Sequence, residues 1–476
     1  MRTITALTIL IILLTPIGGN AQDSRAVLES AAQAMGATNL RSIEYTATGS
    51  SFSVGQSTLP GNPYPRFTVK SYTRSVNYET GASREDAVRQ RADAQPRGGG
   101  VPAMGEARQI FVVRGDRAWN VVGDAVNPTP VALTERQFQL WATPHGVIKA
   151  AARHGAVVQG RTISFTIPGQ SRVRATLDAQ NLVEKVEAAI PNAVLGDAGV
   201  EIVYSDYRDF GGVKFPLRIR QSVSGAPSLD LTVSDVRPNA TVDIAVPDAV
   251  RDATNPYARV TSQKVADGVW YLTGGTHHSV VIEMSDHVVL AESPLDDNRA
   301  AAVIAETRTL APGKPIRYVI ASHNHFDHTG GLRAVAAEGA TIIMHESSRP
   351  YFDVVLSQRG AANPDRMSMA GGRARVEGVQ GKRVLSDGTR SVEIHHIAGN
   401  LHSDDLLMVY LPRERLLIEA DVFTPLAQNA PPPSAVNPNT VNLADNISRL
   451  GLSVDQILPL HGRMVPLAEL NRTIGR

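Results

Sequence analysis

His323-Asn-His325-Phe-Asp327-His328, followed by Thr329-Gly330-Gly331, is the stretch on which the fold of this 476-residue chain turns. Four side chains of metal-ligand type fall within six positions. In an extended segment residues two apart face the same way, so His323, His325 and Asp327 can converge on one point. His328 lies out of that phase and can face a second point after a local turn. The glycines are expected to give the backbone freedom to turn tightly into a helix. An apolar, strand-like run over residues 316–321 precedes the motif and a helical pattern over 331–338 follows it. The motif therefore belongs on a loop, where chemistry is usually carried. The chain has no cysteine, so any metal site rests on imidazole and carboxylate, which suit a borderline ion such as zinc and can hold two.

The chain opens MRTITALTILIILLTPIGGNA. One Arg, an apolar run from Ile4 to Leu14, a Pro break and small residues ending at Ala21 have the anatomy of a secretory signal peptide. Pro16, Gly18, Gly19 and Asn20 cut the run short of a membrane span. A single Arg before it and no Cys after it indicate neither a twin-arginine signal nor a lipid anchor. The expectation is a periplasmic or secreted protein with no stable membrane anchor, cleaved after residues 1–21. Lys plus Arg (47) and Asp plus Glu (46) nearly cancel, leaving no basic field to draw in nucleic acid. A small-molecule substrate fits better, and nothing in the sequence sets an oligomeric state.

The remaining chain is long enough for two domains. Residues 22–252 read as a β-rich antiparallel domain: the runs 41–48, 109–114, 162–167 and 200–204 are short and nearly alternating. Helices are expected near 26–35 and over 134–153, a mobile loop over 92–105, and a linker over 247–257. Residues 253–476 change texture. Strands over 269–272, 279–283, 287–290 and 316–321, with helices over 299–310 and 331–338, imply an α/β layered domain.

Two resemblances add to this. Tyr204-Ser-Asp-Tyr-Arg-Asp-Phe-Gly-Gly-Val-Lys-Phe-Pro216, with Val233-Ser-Asp-Val236 and Asn239, resembles the tail of the half-barrel of outer-membrane lipoprotein carriers. That implies a curved antiparallel sheet around one or two helices with an apolar concave face. From about Val260 onward, the His-x-His-x-Asp-His motif and its glycines, with Glu292-Ser-Pro-Leu295 before and Leu332 to His345 after, resemble the metallo-β-lactamase superfamily. This resemblance implies an αββα sandwich and further ligands on distant loops. His402 in Gly399-Asn-Leu-His402-Ser-Asp-Asp405, Asp421 in Ile418-Glu-Ala-Asp421-Val-Phe423 and His461 in Leu458-Pro-Leu-His461-Gly462 match its later motifs. It implies that His323, His325 and His402 hold one Zn2+, that Asp327, His328 and His461 hold a second, and that Asp421 bridges them. Iron or manganese are other divalent candidates.

The implied function is a secreted dinuclear zinc hydrolase, in which a metal-bridging hydroxide cleaves an amide, ester, lactone or thioester and Asp327 is the catalytic carboxylate. Three alternatives stand beside it: a β-lactamase proper, a mononuclear iron persulfide dioxygenase, and a periplasmic apolar-ligand carrier with a metal domain. Among the other histidines, His277 and His278 can line the cleft but suit supporting or surface roles better. His345 reads as structural, and His145 and His154 as surface residues. Residues 347–384 and 428–434 are candidates for a lid or for packing against the first domain.

Overall fold

The structure is a computed structural model and describes residues 19–99, 105–167, 172–360, 362–371, 373–428, 430 and 435–476. Most of the expected signal peptide, residues 1–18, lies outside that set, as do 100–104 of the expected mobile loop and most of 428–434. The first described element is a helix, Gly19–Met35. It begins earlier than expected because no proline or β-branched residue interrupts residues 20–26.

Thirteen strands between residues 42 and 238 form one antiparallel sheet. Its first and last strands, Ser42–Phe52 and Ala226–Pro238, pair side by side in the middle, and the others run outward from them as two meanders. Alternation places Ile43, Tyr45 and Ala47 on the buried face, as period-2 geometry requires. Ala31 and Met35 of the first helix, and Val147, Ile148 and Ala151 of Pro144–Arg153, join these side chains in one apolar cluster. The single helix expected over 134–153 is two, Leu133–Trp141 and Pro144–Arg153. Pro144 cannot donate an N–H to a preceding turn, so it starts a helix instead of continuing one.

His145, expected at the surface, is fully buried. Its ring stacks on Phe215 and its Nε2 lies 3.2 Å from the Met35 carbonyl, so it fills the junction between two helices and the sheet. The expected linker is also packed: it contains a short helix, Asp248–Arg251, whose Val250 is buried against Ile110, Val112 and Trp119.

Residues 261–379 contribute a seven-stranded sheet and residues 382–466 a six-stranded one. Strands buried on both faces need apolar residues at every position, and Leu407–Leu411 shows how they are used. Leu407, Val409 and Leu411 join a cluster shared with Val280, Ile282 and Val289 of the other sheet. Met408 and Tyr410 point the opposite way, toward Leu443 and Ile447 of the helix Pro438–Arg449. The outer face of the first sheet, through Val281, Val288 and Leu290, packs on Ala300, Val303 and Leu332 of the helices Asp297–Leu310 and Leu332–Ala337. Helix, sheet, sheet and helix are thus stacked as four layers, a mixed α/β architecture. That same outer cluster continues without a break into the apolar face of the thirteen-stranded sheet. No helix among the described residues is long and apolar enough to cross a membrane.

Three parallel strands, Val288–Ala291, Ile316–Ile320 and Thr341–His345, point their carboxyl ends to one edge of this stack. In open α/β sheets that edge is where ligands gather. The motif leaves the middle one. Gly330 and Gly331 have φ of −64° and −90°, so the freedom to adopt unusual torsions is not what these positions need. They need space: a Cβ on Gly330 would lie 1.9 Å from the Leu295 carbonyl oxygen, and one on Gly331 2.4 Å from Ser293 Oγ.

Gly330→Ala should lower the melting temperature by the equivalent of about 1–3 kcal/mol, because the obstructing atom is backbone and cannot rotate away; a melting temperature equal to wild type would refute the packing argument. For His145, burial pushes the pKa down from 6.5 to about 4. Between those values the unfolded chain takes up a proton that the folded chain refuses, so stability falls as pH drops, by about 3 kcal/mol in all. Melting curves from pH 7 to 4 should show a shallower pH dependence for His145→Gln than for wild type.

Candidate metal centre

After the strand Ile316–Ile320 the chain runs through a short loop that bends at His323 and Asn324, and a one-turn helix, Phe326–Thr329, follows. His323 and His325 face one point across this bend, their ring centroids 4.5 Å apart. Asp327 does not join them. It lies inside the short helix, where the period becomes 3.6, so it is His328, three residues after His325, that turns back toward the centre.

The described residues contain two groups whose ligand atoms lie within 4.8 Å of one another, and each could hold a metal ion: His323, His325, His402 and Asp421, and His277, His328 and His461. Asp421 sits between them. Its Oδ2 lies 3.1 Å from His402 Nε2 and 3.2 Å from His328 Nε2, and its Oδ1 lies 2.8 Å from His461 Nε2. His402 Nε2 and His323 Nε2 are 3.0 Å apart, and His461 Nε2 and His328 Nε2 3.3 Å. Ligand atoms at ~2.0–2.1 Å from one tetrahedral ion stand ~3.3 Å apart, so these spacings suit shared ions.

Two further contacts fix which ring nitrogen faces inward. A carbonyl oxygen only accepts, so the His325 Nε2–H must donate to the Ser57 carbonyl (3.0 Å) and the His461 Nδ1–H to that of Thr276 (2.9 Å). That leaves the lone pairs on His325 Nδ1 and His461 Nε2. His325 Nδ1 and His402 Nδ1 are buried without a hydrogen-bond partner. For His325 this is the nitrogen a metal would use, and an orphaned buried lone pair of that kind fits the role of a metal ligand. Burial lowers the pKa of His325 to about 3 and that of His323 well below the usual range, with neighbouring imidazoles adding to the effect. Both rings are therefore neutral and able to ligate near pH 7. Burial also pulls His328 down, but the carboxylates of Asp421 and Asp327 overcome it and raise its pKa well above 6.5.

Asp327 stands at the edge of the second group, with its side chain 36% exposed. Its Oδ1 accepts from Gln56 Nε2 at 2.7 Å, while its Oδ2 lies 3.2 Å from His277 Nε2 and 3.9 Å from His328 Nε2. His277 is the residue that sequence reasoning placed in a supporting role. Its ring stands 4.1 Å from that of His461 and 5.0 Å from that of His328. Fully buried Arg299 donates to the carbonyls of Thr273 (3.2 Å) and His277 (3.0 Å), pinning the loop that carries it. The only sequence signal for His277 was position, just before the apolar strand Ser279–Glu283, which starts at the edge where the motif lies. Gln56 had no signal at all.

The other ligand loops are braced in the same way. Asn324 donates to Ser403 Oγ and Asp405 Oδ1, both at 3.0 Å, tying the motif to the His402 loop. Asp421 has φ of +64° and Glu292, after Val288–Ala291, +73°, a left-handed conformation that costs energy in a non-glycine residue. Strain at both positions marks where surrounding contacts dictate the backbone. His345 pairs with His396 away from the two groups, 4.3 Å between rings.

The model of the Metallo-beta-lactamase superfamily matches residues 272–441, a span that includes every candidate ligand except His461. The alpha subunit of 2,4-dinitroanisole O-demethylase from Nocardioides sp. (strain JS1661) is 27% identical over 208 residues, 42% of this chain and 57% of that protein. The chain thus spans little more than half the length of that relative. Of solved structures, a metallo-beta-lactamase from Pontibacter korlensis is 17% identical with a TM-score of 0.35, over 46% of this chain and 98% of that one. The mono-zinc form of the FIM-1 metallo-beta-lactamase from Pseudomonas aeruginosa is 19% identical with a TM-score of 0.35, over 45% and 93%. Residues 272–441 of this chain are a domain of the metallo-beta-lactamase superfamily.

Proposed function

We propose that the chain is a metal-dependent hydrolase that holds two divalent ions, zinc foremost, and cleaves an amide, ester, lactone or thioester. The observation that carries this reading is the Asp421 carboxylate set between two groups of imidazoles, within 3.2 Å of a nitrogen in each. His323, His325 and His402 would hold one ion with Asp421; His328 and His461 would hold the other with Asp421, completed from Asp327 or His277. When bound, such a pair supplies Lewis acidity and a hydroxide at neutral pH.

The chain's own side chains supply the rest. Burial raises the Asp327 pKa, but the charge on His328 and the hydrogen bond from His277 outweigh it and hold the carboxyl well below its ordinary range. Asp327 is therefore ionised near neutral pH, and its Oδ2, at the open side of the centre, can orient an attacking water by accepting a hydrogen bond from it. No serine or cysteine nucleophile is required. Residues 22–252 would act as an accessory domain and 253–476 as the catalytic one. Export is part of the proposal: the amino terminus of the native protein, sequenced after purification from its source, should lie near Gln22.

The likeness to the O-demethylase subunit favours a second reading, removal of a methyl group from an activated aryl ether. A panel of nitrocefin, lactones, esters, thioesters and 2,4-dinitroanisole separates the two, and metal analysis separates both from a single-iron dioxygenase. Asp421→Ala and His402→Ala should each bind less metal. Losing a group that merely supports a ligand already costs ~10–100-fold, so turnover should fall by more than ~100-fold. Hydrolysis retained by a metal-free preparation would overturn the reading.

A further inference from the structure

We propose that Gln56, carried on a loop of the thirteen-stranded sheet, is a positioning residue of the metal centre that holds Asp327 by Oδ1 and so aims Oδ2 at the second histidine group. The inference rests on the two-ion reading above and adds to it a part that lies 271 residues away in the chain.

The loop, residues 53–65, joins the strands Ser42–Phe52 and Arg66–Asn77 and is closed at its base by Ser53 N–H donating to the Pro65 carbonyl at 3.0 Å. Four successive residues then bond in order to the two loops that carry His323 to His328 and His402. The Gly55 carbonyl accepts from Phe326 N–H (3.1 Å), and the Gln56 side chain donates to Asp327 (2.7 Å). The Ser57 carbonyl accepts from His325 (3.0 Å), and that of Thr58 from Asp404 N–H and Ser403 Oγ (both 2.9 Å). From the other side, Gly99 N–H donates to the Gln56 carbonyl and Gly98 N–H to that of Leu401, each at 2.9 Å. These bonds clamp the described part of the segment that was expected to be mobile. Gly55 makes the approach possible: it has φ of +79°, and a Cβ there would lie 2.3 Å from Phe326 Cγ.

Within this clamp the geometry at Asp327 is asymmetric. An ionised carboxylate only accepts, so the atom of Gln56 facing it is the amide nitrogen. With Oδ1 engaged, Oδ2 is the oxygen left for His277 Nε2 and the ion beside His328. Partners behind a ligand set its orientation and basicity, so Gln56 should govern the second ion and leave the first, 323–325–402, untouched.

Titration of metal-free protein with Co2+, followed by visible absorbance, reads the two sites separately and without turnover. Wild type should fill in two steps. Gln56→Ala, and the near-isosteric Gln56→Glu should alanine loosen the loop, should weaken the second step by about 10–100-fold and alter its spectrum, with the first step unchanged. Arg97→Ala removes the 2.5 Å ion pair to Asp404, which spans the same two parts of the chain without touching Asp327, and should change neither step. Two wild-type steps with Gln56 variants identical to wild type would overturn this inference alone, as would an equal weakening in Arg97→Ala. A single wild-type step would overturn the two-ion reading and this inference with it.

Discussion

The Asp421 carboxylate, 12% exposed and held among imidazoles, is the constraint around which the rest of the centre is arranged. Removing a carboxylate from water costs several kcal/mol unless charge and hydrogen bonds replace the lost solvation. Here His328, His402 and His461 do so from three different loops, each nitrogen within 3.2 Å of an Asp421 oxygen. Two of those loops belong to the six-stranded sheet and one to the seven-stranded sheet. The carboxylate therefore demands that both sheets close against each other in one register. The left-handed torsion at Asp421 is a local cost of that demand.

The metal-type side chains are few, and most of the site consists of what holds them. Carbonyls of Thr276 and Ser57 select the ring nitrogens of His461 and His325. Arg299 fixes the loop of His277, and Asn324 locks the motif to the His402 loop. Each such contact removes a rotational or tautomeric freedom that a ligand would otherwise lose on binding, which is how a protein raises affinity without adding donors. The thirteen-stranded sheet takes part directly. Its apolar face runs continuously into the helical layer of the superfamily domain, and its 53–65 loop supplies one of the tautomer-setting carbonyls. The resemblance of that sheet to lipoprotein carriers stays an expectation, whereas its contact with the ligand loops is a feature of the fold.

Several parts of the centre were legible in the sequence because their information is local. His323, His325 and His328 fall close enough together that a short bend and a helical turn bring them into convergence, and the strands over 279–283 and 288–291 declare themselves by the apolar runs 280–282 and 288–291. Other parts misled for equally local reasons. Asp327 was read in the phase of an extended segment, but the helix begins one residue earlier. Gly330 and Gly331 were read as torsional devices, although their φ values are ordinary and their role is to leave room for the Leu295 and Ser293 backbones. His145 looked like a surface residue because a lone histidine on a helix carries no mark of what covers it.

By itself the sequence determined the chemistry on offer: imidazole and carboxylate without thiolate, concentrated after an apolar strand. The family likeness extended it to His402, Asp421 and His461. Only the tertiary structure decided which side chains complete that set. His277 and Gln56 lie on loops 46 and 267 residues before His323 in a chain of 476, and nothing in their neighbours distinguishes them. Their roles arise from sheet-on-sheet packing, and a sequence pattern of period 2 or 3.6 reports which face a residue occupies but not what the fold brings to meet it.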